Sequence, residues 1–278
     1  MPPKPDFHSS GAPLVWGDHL FVTTASESGT SCRVIALKRK TGAIHWNKEV
    51  FRQATGHKEG RNSYATPTPA TNGKLVYACF RDGSFVALNF HRRIVWTNRE
   101  YSFYGQHGLG TALLLHDGLL IMARDGSSDG EDKKVGWQIP SDKSCILTLD
   151  AKTGKERSKA KRGLSRISRG TPTIWVTPNG RAQIVSEAVD VLQGFDPKTG
   201  ERLWTSEVIG EGKVPSVVLG DRLAYTSGGW DGKESIKAFR LGGSGDLKEP
   251  NLVWEQRKGM PFSLSRIACL ICATLVPY

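Results

Sequence analysis

A short phrase recurs five times along this chain, and its spacing constrains the fold more than any other feature. Two copies are nearly identical, DAKTGKERS at 150–158 and DPKTGERLW at 196–204. Aligned on the tryptophan, the series reads VIALKRKTGAIHW (34–46), FVALNFHRRIVW (85–96), CILTLDAKTGKERS (145–158), VLQGFDPKTGERLW (191–204) and IKAFRLGGSGDLKEPNLVW (236–254). The anchors Trp46, Trp96, Ser158, Trp204 and Trp254 are therefore 50, 62, 46 and 50 residues apart. A period near fifty is the mark of a stacked or radial repeat architecture, so the phrase reads as an element of fold.

Each phrase has a local physical reading. Its first half alternates, as in Val34/Ala36 and Val86/Leu88, which suits a strand with two different faces. Its middle is a tight turn: Asp or Lys opens it, Pro197 presets φ, and Gly42, Gly154 or Gly200 takes the left-handed slot. A type I turn followed by a bulge is expected. The second strand then carries the Trp. Upstream of each phrase lies another pair of apolar strands around a turn, as in GAPLVWGDHLFVTT (11–24) and ATPTPATNGKLVYACF (65–80). The same pattern returns in GLGTALLLHDGLLIMAR (108–124), RGTPTIWVTPNGRAQIVSE (169–187) and KVPSVVLGDRLAYTSG (213–228). Four strands per repeat predict an all-β fold, a β-propeller of four-stranded antiparallel blades with about five blades present. No stretch shows a 3.6-residue period for more than about two turns.

Composition narrows the partners. The net charge of +11 and pI near 9.5 permit an anionic ligand. Lysines and arginines are scattered, however, with no recognition helix or stacking-sheet motif, so no nucleic-acid partner is expected. Five cysteines without framework spacing (Cys32, Cys79, Cys145, Cys269, Cys272) predict buried free thiols. The lone CxxC at 269–272 lacks the second ligand pair of a zinc site, and no metal is expected. The acidic run DGSSDGED (125–132) lacks the ligand spacing of a calcium loop and reads as a solvated hairpin insertion. No run reaches the ~18 apolar residues of a membrane span, and no export signal is visible in MPPKPDFHSSGAP.

The phrases resemble the repeats of the quinoprotein-like (PQQ-like repeat) propeller family, whose strand–turn–strand looks like A-L-D-x-x-T-G-x-x-x-W. The resemblance covers residues 11–258 and is nearest to non-enzymatic bacterial members. It implies blades spanning 8–262, with an atypical apolar tail at 263–278. It also implies a periplasmic or extracellular place. Trp46, Trp96, Trp204 and Trp254 are implied to dock between neighbouring blades. Ser158 lacks that ring, and a Trp in its place is expected to be tolerated or mildly stabilising, its neighbours suiting a family docking site. Family members have seven or eight blades, so a truncated, incomplete ring is expected, able to self-associate through open ends.

Enzymatic relatives hold a quinone over a Trp floor beside a calcium with Glu, Asn and Asp ligands, commonly with a vicinal Cys-Cys disulfide. No Cys-Cys pair occurs here and no ligand set maps residue by residue, so no cofactor and no catalytic residue are carried over. The inter-blade loops GHKEGRNSY (56–64), YGQHGLG (104–110), KRGLSRISRG (161–170) and GEGK (210–213) would emerge on one face. They would gather His57, Arg61, Tyr64, Gln106, His107, Arg162 and Arg166, joined by Lys58 and Lys213, into a ligand-binding rim. These loops are richer in cations than carboxylates, which predicts a positive rim suited to an anion or an acidic peptide. The function expected is a non-catalytic binding scaffold for a protein or peptide at the cell envelope. The alternative is a degenerate or cofactor-requiring quinoprotein dehydrogenase.

Overall fold

The computed structural model describes residues 7–55, 62–105, 108–127, 132–208, 215–220, 222–229, 234–247 and 251–257. Every regular element among them is a strand. Blade 1 holds β1 (Phe7–His8), β2 (Leu14–Trp16), β3 (His19–Ser26), β4 (Ser31–Lys38) and β5 (Ile44–Arg52). Blade 2 holds β6 (Ala70–Thr71), β7 (Leu75–Cys79), β8 (Phe85–Asn89) and β9 (Ile94–Asn98). Blade 3 holds β10 (Leu114–His116), β11 (Leu119–Arg124), β12 (Cys145–Asp150) and β13 (Glu156–Lys161). Blade 4 holds β14 (Thr173–Val176), β15 (Ala182–Glu187), β16 (Val191–Phe195) and β17 (Arg202–Glu207). Blade 5 holds β18 (Val218–Leu219), β19 (Leu223–Gly228), β20 (Ser235–Arg240) and β22 (Leu252–Gln256); from its last connection β21 (Gly245–Asp246) pairs parallel with β17. Blades 2, 3 and 5 are four-stranded meanders, and blades 1 and 4 each carry one extra short strand. Because the strands alternate in direction, the first and third turns of each blade share one end. That end is the hairpin face, and the inter-blade connections share the opposite loop face.

The recurrent phrase is the outer hairpin of every blade. A bulge falls at the same place in all five, between Ala36/Leu37, Ala87/Leu88, Thr148/Leu149, Gly194/Phe195 and Ala238/Phe239. The left-handed slot is Gly42 (φ 70), Gly154 (φ 72) or Gly200 (φ 74), and in the turn without glycine it is Arg92 (φ 62). The opening acid has a mechanical role. Asp150 Oδ1 accepts the N–H groups of Lys152 (3.0 Å) and Thr153 (2.8 Å). Asp196 Oδ1 does the same for Lys198 (2.8 Å) and Thr199 (2.9 Å).

Across the ladder each Trp faces a small residue: Ala36↔Trp46, Ala87↔Trp96, Gly194↔Trp204 and Ala238↔Trp254. That leaves room for the indole to lie over the partner strand. A Cβ on Gly194 would stand 2.1 Å from the Trp204 ring. Docking then follows. Trp46 Nε1 donates to the Phe90 carbonyl of the next blade (2.8 Å), and Trp96 Nε1 to the Ala151 carbonyl (3.0 Å), with Gly154 laid against its ring. Trp204 is 1% exposed in the interface with Phe239 and Leu241, but its Nε1 donates to Gln183 of its own blade (2.9 Å). Trp254 is half-buried against Tyr225. Ser158 corrects the expectation of an empty docking site. It faces Thr148, and a Cβ on Gly200 would stand 2.6 Å from the Ser158 Cβ, so no ring-sized space is left.

Four core clusters fill the four successive interfaces, 1–2, 2–3, 3–4 and 4–5, and none among the described residues joins blade 5 to blade 1. In blade 2, Val76, Ala78 and Phe80 pack toward blade 1 while Tyr77 and Cys79 pack toward blade 3. Strands of the middle blades are thus buried on both faces, as in β16, whereas β4 of blade 1 alternates. At the inner strands the backbone of one blade binds a hydroxyl of the next: Ala12 N–H to Thr68 Oγ1 (3.0 Å), Ala112 N–H to Thr171 Oγ1 (3.1 Å), Thr171 N–H to Ser216 Oγ (2.9 Å). Cys32, Cys79 and Cys145 are free and buried; burial pushes the first two thiols up to about 12. Cys269, Cys272 and the tail 263–278 lie outside the described residues.

Candidate functional site on the loop face

Of the rim residues expected from sequence, Tyr64, Arg162 and Arg166 are described; His57, Arg61, Gln106 and His107, with Lys58 and Lys213, lie outside the described residues. All three described residues sit on the loop face, each in a packed setting. Tyr64 is 5% exposed, wedged between Gly29 of blade 1 and the Arg81 guanidinium, 5.5 Å from its ring centroid. Arg162 is an internal strut at 1% exposure. Its Nε donates to Asp125 Oδ1 (2.7 Å) and its Nη2 to Ser186 Oγ of blade 4 (2.6 Å). Burial pushes the Asp125 carboxyl up, against the pull of Arg162. Asp125 is therefore no solvated loop residue, which corrects the reading of the acidic run at its first position. Arg166 makes a two-pronged pair with Asp190, through Nη2 (2.7 Å) and its own backbone N–H (2.7 Å).

The sequence counted cations on the inter-blade loops and missed the acids that arrive from the other turns at the same end. Asp82, Asp125 and Asp190 come from the second turn of blades 2, 3 and 4, and each holds an arginine: Arg99, Arg162 and Arg166. Arg99, Arg162 and Arg166 are thus paired on this face. A signal was present, since RDGS occurs at 81–84 and again at 124–127, the same place in two blades. Arg81 is 9% exposed with no hydrogen-bond partner at Nε, and burial pulls its pKa down. Arg124 lies among Phe85, Tyr101 and Phe103, with Nη2 donating to the Tyr101 and Ser102 carbonyls (2.9 Å each).

The loop from 162 to 170 is the most tightly held feature of this face. Asp125 grips it at Arg162 and at the Ser168 N–H (3.3 Å), and Asp190 grips it at Arg166. The insertion of blade 3 adds Ser141 N–H to the Ser165 carbonyl (3.0 Å), and Ile167 N–H donates to the Gly136 carbonyl (2.7 Å). Held this way, the loop presents Leu164 at 71% exposure, and Ile139 of the insertion is 44% exposed. Leu164 is thus a large apolar side chain kept in water on a tightly held loop.

Comparison with known proteins fits this geometry. A family model described as outer membrane protein assembly factor BamB matches residues 2–138. Residues 2–138 thus match PQQ-like repeats, and the fold is that of a β-propeller. No curated protein sequence matches it significantly. Among solved structures, the chain is similar to BamB from Moraxella catarrhalis, with TM-score 0.58 and 16% identity over 88% of this chain and 63% of that one. It is also similar to the quinohemoprotein alcohol dehydrogenases ADHIIG from Pseudomonas putida HK5 (TM-score 0.53, 12% identity, 91% of this chain and 42% of that one) and from Comamonas testosteroni (0.51, 12%, 94% and 48%). The chain thus spans less than two thirds of the length of each. A calcium-bound quinone needs a cluster of free carboxylates. No three of His, Cys, Asp and Glu gather at metal-binding distance among the described residues, and Asp82, Asp125 and Asp190 on the loop face are each held by an arginine. This donor set does not fit the group.

Proposed function

We propose that the chain is a non-catalytic scaffold that docks a protein partner through its loop face, at the cell envelope in a periplasmic or extracellular setting. The observation that carries the reading is Leu164, largely exposed at the tip of a loop held by two buried or half-buried ion pairs. Ordering entropy is already spent in such a loop, so contact energy goes into affinity. The family's description as an assembly factor supports a protein partner. No helix among the described residues is long and apolar enough to cross a membrane.

Site-specific photo-crosslinking in the native cell tests this. A crosslinker at position 164 should give one discrete protein adduct, and one at Lys40 on the hairpin face should give none of that species. The same adduct from both positions, or none from 164, would sink the docking reading. Adding quinone with calcium and observing a bound, red-shifted chromophore would favour the dehydrogenase reading instead.

A further inference from the structure

The repeat places a second feature on the opposite face. On the hairpin face a cavity of about 850 Å³ runs from the first turn of blade 2, under blade 3, to the outer turn of blade 4. That volume is within the range of ligand sites, about 300–1,000 Å³. Leu75, Leu119 and Ala151 give it an apolar floor, and Lys74, Lys152 and Lys198 stand on its rim. Arg157 is occupied by Asp150 (2.6 Å), which leaves Asp117 as the remaining carboxylate against three lysines. None of the three ammoniums forms an ion pair among the described residues.

Lys152 and Lys198 are the same position of the D-x-K-T-G phrase in successive blades. Packed sheets lie about 10 Å apart, so the repeat sets these charges roughly one sheet spacing from each other. A polyproline II chain has three residues per turn and rises about 3.1 Å per residue, which puts the side chains of residues i and i+3 on one side about 9 Å apart. We propose that this groove binds an acidic peptide segment of a partner protein in polyproline II conformation. Carboxylates three residues apart pair with Lys152 and Lys198, and an apolar side chain between them rests on Leu119 and Ala151. The site is separate from the loop-face anchor and does not depend on it.

Fluorescence anisotropy of the full chain with a labelled hexapeptide Glu-Pro-Leu-Glu-Pro-Leu tests the assignment. Binding is expected to weaken as salt rises, and at least tenfold in Lys152→Gln/Lys198→Gln. The rearranged peptide Glu-Glu-Pro-Leu-Pro-Leu should also bind more weakly. Leu164→Asp on the loop face should leave the affinity unchanged, and an unaltered melting temperature will show that each variant is folded. Equal affinity for the two peptides, equal affinity in parent and double-lysine variant, or loss in Leu164→Asp would each overturn the proposal. So would lysine-dependent binding of vesicles of anionic phospholipid with no binding of the peptide.

Discussion

The indoles show at the scale of single residues how the repeat is held. Trp96 is 9% exposed and Trp204 1%, each packed against a small residue across the ladder. Trp204→Ala should therefore destabilise by about 3–5 kcal/mol, read by denaturant unfolding. A variant melting within a degree of the parent would show that the ring carries no interface energy. Ser158→Trp should also destabilise, because Thr148 and Gly200 close the space an indole would need. Arg92 offers the opposite sign. It holds φ 62 in a turn where three sister blades have glycine. Arg92→Gly should stabilise by up to about 1 kcal/mol by relieving the left-handed strain, and a loss of stability would mean its side chain matters more than its backbone.

Hairpins and loops are fixed by buried or backbone-bound charge at the scale of elements. Partial burial works to raise the Asp196 carboxyl, but the N–H groups of Thr199 and Lys198 outweigh it and hold the pKa below the usual carboxylate range. Asp150 behaves likewise, with Arg157 and Thr153 overcoming burial. A depressed folded-state pKa contributes stability above the unfolded value of about 3.9, and that contribution is lost as pH falls through the folded value. Asn89 performs the same turn in blade 2 without a charge (His91 N–H at 3.0 Å). Asp150→Asn/Asp196→Asn should thus keep the turns and lose less stability than the parent as pH drops from about 5 to about 3. Parallel acid-unfolding curves for the two proteins would refute this. On the loop face, Arg162→Met leaves the Asp125 carboxylate buried and uncompensated, at a cost of about 3–5 kcal/mol. Adding Asp125→Asn should recover much of it, and strictly additive effects in the double-mutant cycle would show that the pair is not coupled.

For the whole molecule, five blades stack through four interfaces, and the outward side of blade 1 is not covered by a sheet among the described residues. There Leu20↔Leu37 and Val22↔Ile35 form half-exposed apolar cross-strand pairs, with Ile44 at 61% exposure nearby. At about 25 cal/mol per Å², even a few hundred Å² of such surface favours covering by several kcal/mol. The chain expressed as this sequence is expected to self-associate with rising concentration. Light scattering will decide: a monodisperse monomer at high concentration, melting cooperatively, would show that its ends are self-sufficient.

The sequence by itself determined the blade. A period near fifty, an Asp–x–Lys–Thr–Gly turn and an anchoring Trp are local chemistry, and strand, turn type and bulge follow from them residue by residue. Even the twinned RDGS was legible, though only its repetition marked it. Tertiary structure alone decided what each charge meets. Arg162 and Asp125 are 37 residues apart, and nothing local says that the second turn and the inter-blade connection close on one another at the same end of the sheet. The distance between Ser158 and Gly200 is set by how closely two blades pack, which is a property of the filled interface and of no single phrase. Turns are local because a few dihedrals fix them; site electrostatics are not, because they depend on which chain segments packing brings within a few ångströms.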